Sequence, residues 1–367
     1  TDNLSAPEIA LPGENFNTVL YTGNTPSTQA VTGVGFEPDF LWLKSRSATS
    51  GNIAQDSVRG ATKRLETNTT GAEVTDATYV ASFDSDGFTV GTNTDTNASG
   101  GTFVAWNWKA GGAPTATNSA GAGATPTAGS VKIDGSNLGS ALAGTIAATR
   151  LSANTTSGFS IVTYEGTEAV ATVAHGLSQA PELILFKNTD SALFWPVYNK
   201  TIDATDYLIL DTTADAADSD GYFNDTEPTS TVFSLGDKTN LNRDTCIAYC
   251  FHSIEGYSKI GSYVTVAGAA TNGLGNFIYT GFKPAWFLNK MVSGPDGAGG
   301  WFLYDNKRNA YNLTGTYLVP SANYADEVAS QGWDFVSNGI KLRASFSANT
   351  HIFMAFAENP FKYSNAR

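Results

Sequence analysis

Short apolar runs recur along the whole chain and predict β-strands. The runs are rich in Val, Ile, Phe, Tyr and Trp and are separated by Gly, Asn, Asp and Pro, which is typical of strands bounded by turns. No long segment repeats its apolar residues with the period of an amphipathic helix. The best helical candidate, 61–80, is interrupted by Asn68 and Gly71. The pattern therefore predicts an all-β fold.

Three segments of the chain repeat the same order of landmarks. Each has a first strand that ends at a tyrosine, a second strand that starts at a proline and carries a lysine six residues later, and an aromatic-rich closing strand. The tyrosines are Tyr21, Tyr164 and Tyr263, the prolines are Pro38, Pro181 and Pro284, and the lysines are Lys44, Lys187 and Lys290. The closing strands align on Ala105, Ala248 and Ala355, which follow the prolines by 67, 67 and 71 residues. Such spacing indicates an internal repeat.

A repeat of this length with many short strands is typical of a β-sandwich. We therefore expect three tandem β-sandwich units, at 1–112, 158–256 and 257–367. The alternation of polar and apolar residues leaves jelly-roll and immunoglobulin-like topologies both open.

The segment between the first two units, 113–157, reads as a linker followed by an excursion. Residues 110–130 are nearly all small and include two prolines, a composition that favours a flexible or extended connector. No such segment separates the second and third units, which join directly at 254–257. We expect these two units to form a rigid pair and the first unit to be hinged separately.

Charge and composition exclude some classes of protein. The chain has 21 basic and 34 acidic residues, a formal net charge of −13, which disfavours binding to nucleic acid or to an anionic membrane. No apolar run is long enough for membrane insertion, and no signal peptide is visible. Cys246 and Cys250 are four residues apart in an apparent strand, too far for a disulfide, so both are expected to be small core residues.

No arrangement of polar residues predicts catalysis. The recurrent charged motif, Asp-x-x-Arg at Asp56–Arg59 and Asp305–Arg308, is expected to be a structural ion pair. The carboxylates lack the pairing that glycoside hydrolysis needs. The three histidines are distant in sequence and are expected to be hydrogen-bonded structural residues; they are His175, His252 and His351.

Two weaker ligand hypotheses remain. Two acidic pairs lie on predicted loops, where they read as hairpin turns, with calcium as the alternative because that ion prefers oxygen ligands. The pairs are Asp84 with Asp86 and Asp218 with Asp220. Most tryptophans fall in or beside predicted strands, whereas Trp195 and Trp333 are less clearly placed there. These two are the candidates for exposed rings that stack on a glycan.

Several ordered segments resemble one family of phage proteins. FNTVLYTGN (16–24), GFEPDFLWLKSR (35–46), IAYCFHSIEGYSKIGSY (247–263) and MAFAENPFKYSNAR (354–367) are similar to repeat-containing virion proteins of tailed, often marine, bacteriophages. The resemblance implies a concanavalin-like sandwich and a non-enzymatic role on the virion surface. These proteins are usually labelled tail fibre or structural protein, so a host-attachment role is also implied.

The resemblance leaves three roles open. The first is structural: capsid decoration, a head fibre or a tail-associated fibre, with other virion proteins as partners and a homotrimer as the expected assembly. The chain has no shaft-like repeat before Phe16, unlike common tail fibres, which leaves capsid decoration, a short head fibre and docking on the tail open. The second is a tail adhesin that binds a host surface glycan, and the third, less favoured, is a polysaccharide depolymerase.

Overall fold

The computed structural model describes residues 6–266, 276–296, 299–343 and 347–363, without the side chains of 330 and 331. Strands dominate, and the two α-helices in this part of the chain have four residues each. Between the described strands, every pair is antiparallel except β10 with β12, which is parallel. The all-β prediction is confirmed. No helix among the described residues has the length and apolar character to cross a membrane.

The first part of the chain forms two sheets with a common core. Its elements are β1 (Phe16–Thr22), β2 (Gln29–Thr32), β3 (Phe40–Ser45), β4 (Ile53–Asp56), β5 (Lys63–Glu66), β6 (Val74–Thr75), β7 (Val80–Asp84), β8 (Gly87–Val90), α1 (Thr94–Asn97) and β9 (Thr102–Trp108). The larger sheet has the order β1-β9-β3-β4-β5-β6 and the smaller β2-β8-β7. Leu41 and Leu43 of β3 pack with Phe88 of β8 in that core.

The middle part of the chain forms the largest sheet. Its elements are β10 (Val131–Ile133), β11 (Ser136–Asn137), β12 (Ala148–Asn154), β13 (Phe159–Glu165), β14 (Ala171–Ala174), β15 (Leu183–Asn188), β16 (Pro196–Asn199), β17 (Asp206–Ile209), β18 (Ala217–Asp218), α2 (Asp220–Phe223), β19 (Val232–Leu235) and β20 (Thr245–Phe251). The nine-stranded sheet has the order β11-β10-β12-β13-β20-β15-β16-β17-β18, and β14 pairs with β19 in a small second sheet.

The last part of the chain again forms two sheets. Its elements are β21 (Ser258–Val264), β22 (Phe277–Tyr279), β23 (Phe282–Ser293), β24 (Trp301–Asp305), β25 (Thr314–Tyr317), β26 (Glu327–Val336), β27 (Gly339–Leu342) and β28 (Thr350–Pro360). One sheet has the order β21-β28-β23-β24 and the other β22-β27-β26-β25. We call these three parts the first, second and third units. Both sheets of the third unit have four strands, and we call its β21-β28-β23-β24 sheet the large sheet because it corresponds to the large sheets of the other two units.

The three large sheets share a second, central core. Within β3, Phe40 and Trp42 belong to this central core, whereas Leu41 and Leu43 belong to the core of the first unit. The central strands of the large sheets, such as β3, β9, β15 and β20, are therefore buried on both faces, and they read as continuous apolar runs rather than as alternating ones.

Three aromatic rings at corresponding positions meet in the central core. Trp108, Phe251 and Phe356 pair with the first residues of the corresponding strand segments, Phe40, Leu183 and Trp286. Their ring centroids are 6.3 Å apart for Trp108 and Phe251, 5.7 Å for Trp108 and Phe356, and 6.2 Å for Phe251 and Phe356. One ring from each unit thus forms a closed triangle.

This shared core overturns the expected hinge of the first unit. Residues of β3 and β9 belong to the same apolar cluster as residues of the second and third units. Large aromatic side chains dominate the stability of such a core, and separating the first unit would expose them to water.

The predicted linker and excursion are also part of the fold. The backbone amide of Gly111 donates to Ser152 Oγ (2.9 Å), and Asn118 Nδ2 donates to the Ala148 carbonyl (3.0 Å). Strands β10 to β12 extend the second unit's large sheet, so that sheet begins at Val131 and not at the predicted boundary of 158. Small residues let this segment lie flat against β12, which composition alone does not reveal.

The landmark tyrosines and lysines correspond as the repeat predicts, but the third alanine does not. Lys44, Lys187 and Lys290 pair with Val104, Ile247 and Ile352 in the closing strands. Asn289 therefore pairs with Phe353 where the other units have Ala105 and Ala248. The alignment on Ala355 is wrong by two residues, because the corresponding position of the third closing strand holds Phe353 and the nearest alanine follows two residues later.

Candidate functional site

The Asp-x-x-Arg motif of the first unit lies at a contact with the second unit. Arg59 Nε contacts Asp56 Oδ2 at 2.6 Å, and both side chains are almost fully buried. The Tyr249 hydroxyl of β20 donates to the same oxygen at 2.7 Å. Burial lowers the pKa of Arg59, but Asp56, Tyr249 and Glu73 outweigh it and raise the pKa overall. The guanidinium thus stays charged and holds its carboxylate.

The motif of the third unit makes the corresponding contact with the first unit. Arg308 Nε contacts Asp305 Oδ2 at 2.6 Å with both side chains fully buried, and Trp106 Nε1 donates to that oxygen at 3.1 Å. Asp326 also contacts Arg308 Nη1 at 2.9 Å. The prediction of a structural ion pair is confirmed, and the pair additionally receives a hydrogen bond from a neighbouring unit.

The second unit carries no charge at this position. Asn199 pairs with Leu183 as Asp56 pairs with Phe40 and Asp305 with Trp286. The residue three positions later is Ile202, which packs against the central core.

The three landmark lysines are buried and reach across the unit boundaries. Lys44, Lys187 and Lys290 are each at most 1% exposed. Their ammonium groups donate to backbone carbonyls of another unit, at Asn323 (3.2 Å), Thr70 (2.8 Å) and Thr213 (3.1 Å) respectively. The first unit thereby contacts the third, the third contacts the second, and the second contacts the first.

Within the part of the chain that the structure describes, no carboxylate is hydrogen-bonded to these lysines. Each donates a further bond to a carbonyl of its own unit, at Ser50, Leu193 or Gly299. Burial lowers the pKa of each ammonium to about 8. A buried ammonium held by carbonyl dipoles ties two backbone segments together, and the cyclic order ties all three units.

Both glycan-stacking candidates are buried, and that hypothesis is wrong for them. Trp195 is 1% exposed, and its Nε1 donates to the Glu66 carbonyl at 3.1 Å. Trp333 is 4% exposed and lies in β26, with its ring 5.0 Å from that of Phe287. Trp195 directly precedes β16, and its side chain belongs to the central core. Its position outside a strand therefore did not make it exposed.

One of the acidic pairs proposed for calcium, Asp84 with Asp86, is held by hydrogen bonds to neighbouring groups of the first unit. Asp84 accepts from Ser82 Oγ (2.8 Å) and Thr89 Oγ1 (2.7 Å). Asp86 accepts from the amides of Gly33 and Gly35, and these bonds lower its pKa. Asp218 lies in the edge strand β18 and Asp220 begins α2. Across the described ranges, no three His, Cys, Asp or Glu side chains are grouped to hold a metal.

The histidines differ from one another. His175 is hydrogen-bonded through both ring nitrogens, to the Thr229 carbonyl and the Leu177 amide, as predicted. His351 stacks on Tyr263 at 4.9 Å, but neither of its nitrogens has a hydrogen-bond partner among the described residues, so the prediction is wrong there. Burial lowers the pKa of both to about 4. Cys246 and Cys250 are buried free thiols, as predicted.

Sequence reasoning missed a pocket in the second unit. It has a volume of about 180 Å³ and lies where β13, β20 and β15 meet α2 and the turn Asp237–Thr239. Apolar groups dominate its lining, which includes Tyr164, Phe186, Phe194, Tyr222 and Cys246. Phe194 is 49% exposed at its mouth. No polar motif marks this pocket, so the sequence carried no signal for it.

A wider cleft of about 700 Å³ lies between the second–third unit junction and the end of β28. Its walls include Glu8, Glu255, Lys259 and Thr280, together with Tyr279. Tyr279 is 63% exposed on β22. An exposed ring beside carboxylate, ammonium and hydroxyl groups is the combination that sugar-binding sites use.

The fold and these sites define an all-β protein whose large sheets share one aromatic core. The chain belongs to a family described as a domain of unknown function, DUF7483, whose model matches residues 11–134 and 123–360. A comparison with curated proteins gave no match.

Proposed function

We propose that the chain is a non-enzymatic structural protein of a tailed-phage virion surface. The proposal rests on the segments that resemble phage virion proteins and on one structural observation. The three lysine bridges and the aromatic triangle join the units into one body. A body joined in this way presents its outer surfaces in a constant relative orientation, which suits a decoration protein or a short fibre.

The buried charges support this role. Each of the two Asp–Arg pairs and each of the three lysines takes part in a hydrogen bond between units. Groups that are held in this way contribute specificity of packing and are not open to a substrate.

Homotrimer formation is part of the proposal and is tested separately. The three-unit core is complete within one chain, so the fold does not require other copies. Analytical ultracentrifugation of the purified protein measures the assembly: a trimeric mass supports the proposed homotrimer, and a monomeric mass overturns it.

Cryo-EM of the virions, with a particle lacking the gene as control, tests the main proposal. Density for three sandwiches that recurs over the capsid, or that lies on the tail, supports a virion surface role and decides the location. Absence of this density from wild-type particles overturns the proposal.

Tyr279 favours a glycan-binding adhesin as the second candidate. Its exposed ring in the wide cleft can stack on a sugar face while Glu8, Glu255 and Lys259 meet hydroxyl groups. A glycan array with the wild type, Tyr279→Ala and the control Tyr324→Ala tests this role, since Tyr324 is also exposed and does not line the cleft. Binding that only Tyr279→Ala abolishes supports the adhesin, and no binding by the wild type argues against it.

A further inference from the structure

The three landmark tyrosines occupy corresponding positions but have different partners. Tyr21 pairs with Phe103, Tyr164 with Cys246 and Tyr263 with His351 across the first and closing strands. The ring of Phe103 stacks on Tyr21 at 5.0 Å, and that of His351 stacks on Tyr263 at 4.9 Å. In the second unit the partner is a cysteine, which has no ring to offer.

The pocket of the second unit lies at this position. Tyr164 and Cys246 both line it, and Phe186 of the next strand continues the wall. The small sheet of this unit has two strands, against three and four in the others, so less of the opposite layer is available to fill the space. We therefore infer that the pocket corresponds to the volume that the stacked ring of Phe103 or His351 fills in the other two units.

The chemistry of the lining selects an apolar ring. The Tyr164 hydroxyl donates to the Thr239 carbonyl at 2.7 Å, and Asn188 Nδ2 donates to Asp244 at 2.8 Å. Lys187 already donates to Thr70 and Leu193. A sugar would leave hydroxyl groups here without partners, which is costly in an apolar pocket. An apolar protein cavity of roughly 150 Å³ is large enough to bind benzene.

We propose that this pocket binds a small single-ring aromatic compound, which stacks on Tyr164 in place of the missing ring. Offset or tilted stacking on Tyr164 and Phe186 would orient the ring. Lys238 lies at the mouth with its Nζ 4.9 Å from the Tyr222 ring centroid, so an anionic substituent directed outward meets a positive charge. The proposal does not depend on the role in the virion.

Ligand-observed NMR and calorimetry on the full chain test the proposal, with phenol and benzoate as probes and cyclohexanol as the non-aromatic control. Saturable binding of the aromatic probes, with cyclohexanol at least tenfold weaker, is the expected result. No saturable binding of either aromatic probe overturns the proposal. Equal binding of cyclohexanol overturns the stacking assignment.

Two variants locate the binding. Cys246→Phe supplies the ring that Phe103 supplies in the first unit and should weaken phenol binding at least tenfold. Cys250→Ala changes the other buried cysteine, which does not line the pocket, and should bind as the wild type does. If Cys246→Phe does not fold, Cys246→Leu fills part of the pocket and should weaken binding in the same direction. A folded variant at 246 that binds phenol unchanged places the ligand elsewhere and overturns the proposal.

Discussion

The first and third units place a buried ion pair where the second unit has none. Asp56–Arg59 and Asp305–Arg308 correspond to Asn199 and Ile202. The difference depends on which side chain the closing strand of another unit places beside the pair. Tyr249 and Trp106 donate to the two carboxylates.

The corresponding residue of the third closing strand is Met354, which pairs with Leu288 as Trp106 pairs with Trp42. The side chain of methionine has no N–H or O–H group that could donate a hydrogen bond. The Asp–Arg pairs therefore occur in the two units whose carboxylate accepts a hydrogen bond from another unit. Asn199 and Ile202 occur in the unit for which the corresponding side chain is that of methionine. Because the desolvation of two buried charges offsets most of their attraction, an apolar substitute can be equally stable.

The largest expected effect comes from breaking one pair. Arg308→Ile leaves Asp305 buried without its cation and should reduce the free energy of unfolding by about 3–5 kcal/mol. The double variant Asp305→Asn/Arg308→Ile copies the second unit and should recover most of the loss, since Asp326 keeps its contact with Arg46 at 2.8 Å. Urea denaturation measures both. If the double variant is as unstable as the single one, the Asn–Ile arrangement of the second unit is not an equally stable substitute for the Asp–Arg pair.

The lysine bridges are expected to make the protein more stable in mild alkali. Burial lowers the pKa of Lys44, Lys187 and Lys290 to about 8, against about 10.4 in an unfolded chain. Between pH 8 and 10 the unfolded chain binds more protons, so the free energy of unfolding should rise with pH. Each lysine contributes up to about 2–3 kcal/mol over this range.

Denaturation of Lys290→Met across this pH range measures one lysine's share of that rise. The variant should show a smaller increase than the wild type, whereas Lys259→Met, at an exposed lysine, should behave as the wild type does. An unchanged pH dependence in Lys290→Met would exclude the buried ammonium as its source.

The smallest of the three effects concerns the ring stacks of the first and third units. Burial lowers the pKa of His351 to about 4, so between pH 6.5 and 4 the unfolded chain takes up a proton that the folded chain does not. The free energy of unfolding therefore decreases as the pH drops through this range, and the loss reaches about 2 kcal/mol at pH 5.

His351→Phe copies Phe103 and should remove this share of the acid sensitivity. Thermal unfolding at pH 7 and pH 5 measures it. His175→Phe should lose a similar share of the pH dependence, because burial lowers the pKa of both histidines, but it should also lower stability at pH 7, because His175 makes hydrogen bonds that phenylalanine would lose. If the difference between the two pH values is the same for His351→Phe as for the wild type, His351 is not its source.

The strands, the repeat and the structural role of the Asp–Arg pairs could be read from local patterns. Apolar runs between turn residues identify strands because their cause is local, and the six-residue spacing from Pro38 to Lys44 recurs because a short segment that leads into one strand joins the two residues. The candidate sites could not be read in this way. Trp195 is buried by side chains far away in sequence, and the exposure of Tyr279 depends on which face of β22 the core covers.

The sequence by itself determined that this chain is all β, that it repeats one strand order three times, and that Lys44, Lys187 and Lys290 correspond. Only the tertiary structure decided that the three large sheets cover one another. This contact buries each lysine against a carbonyl of another unit. The tertiary structure also decided that hydrogen bonds to β12 hold the segment 110–130. The physical reason is that the second face of each large sheet is covered by residues from other repeats, and no local spacing encodes which repeat supplies them.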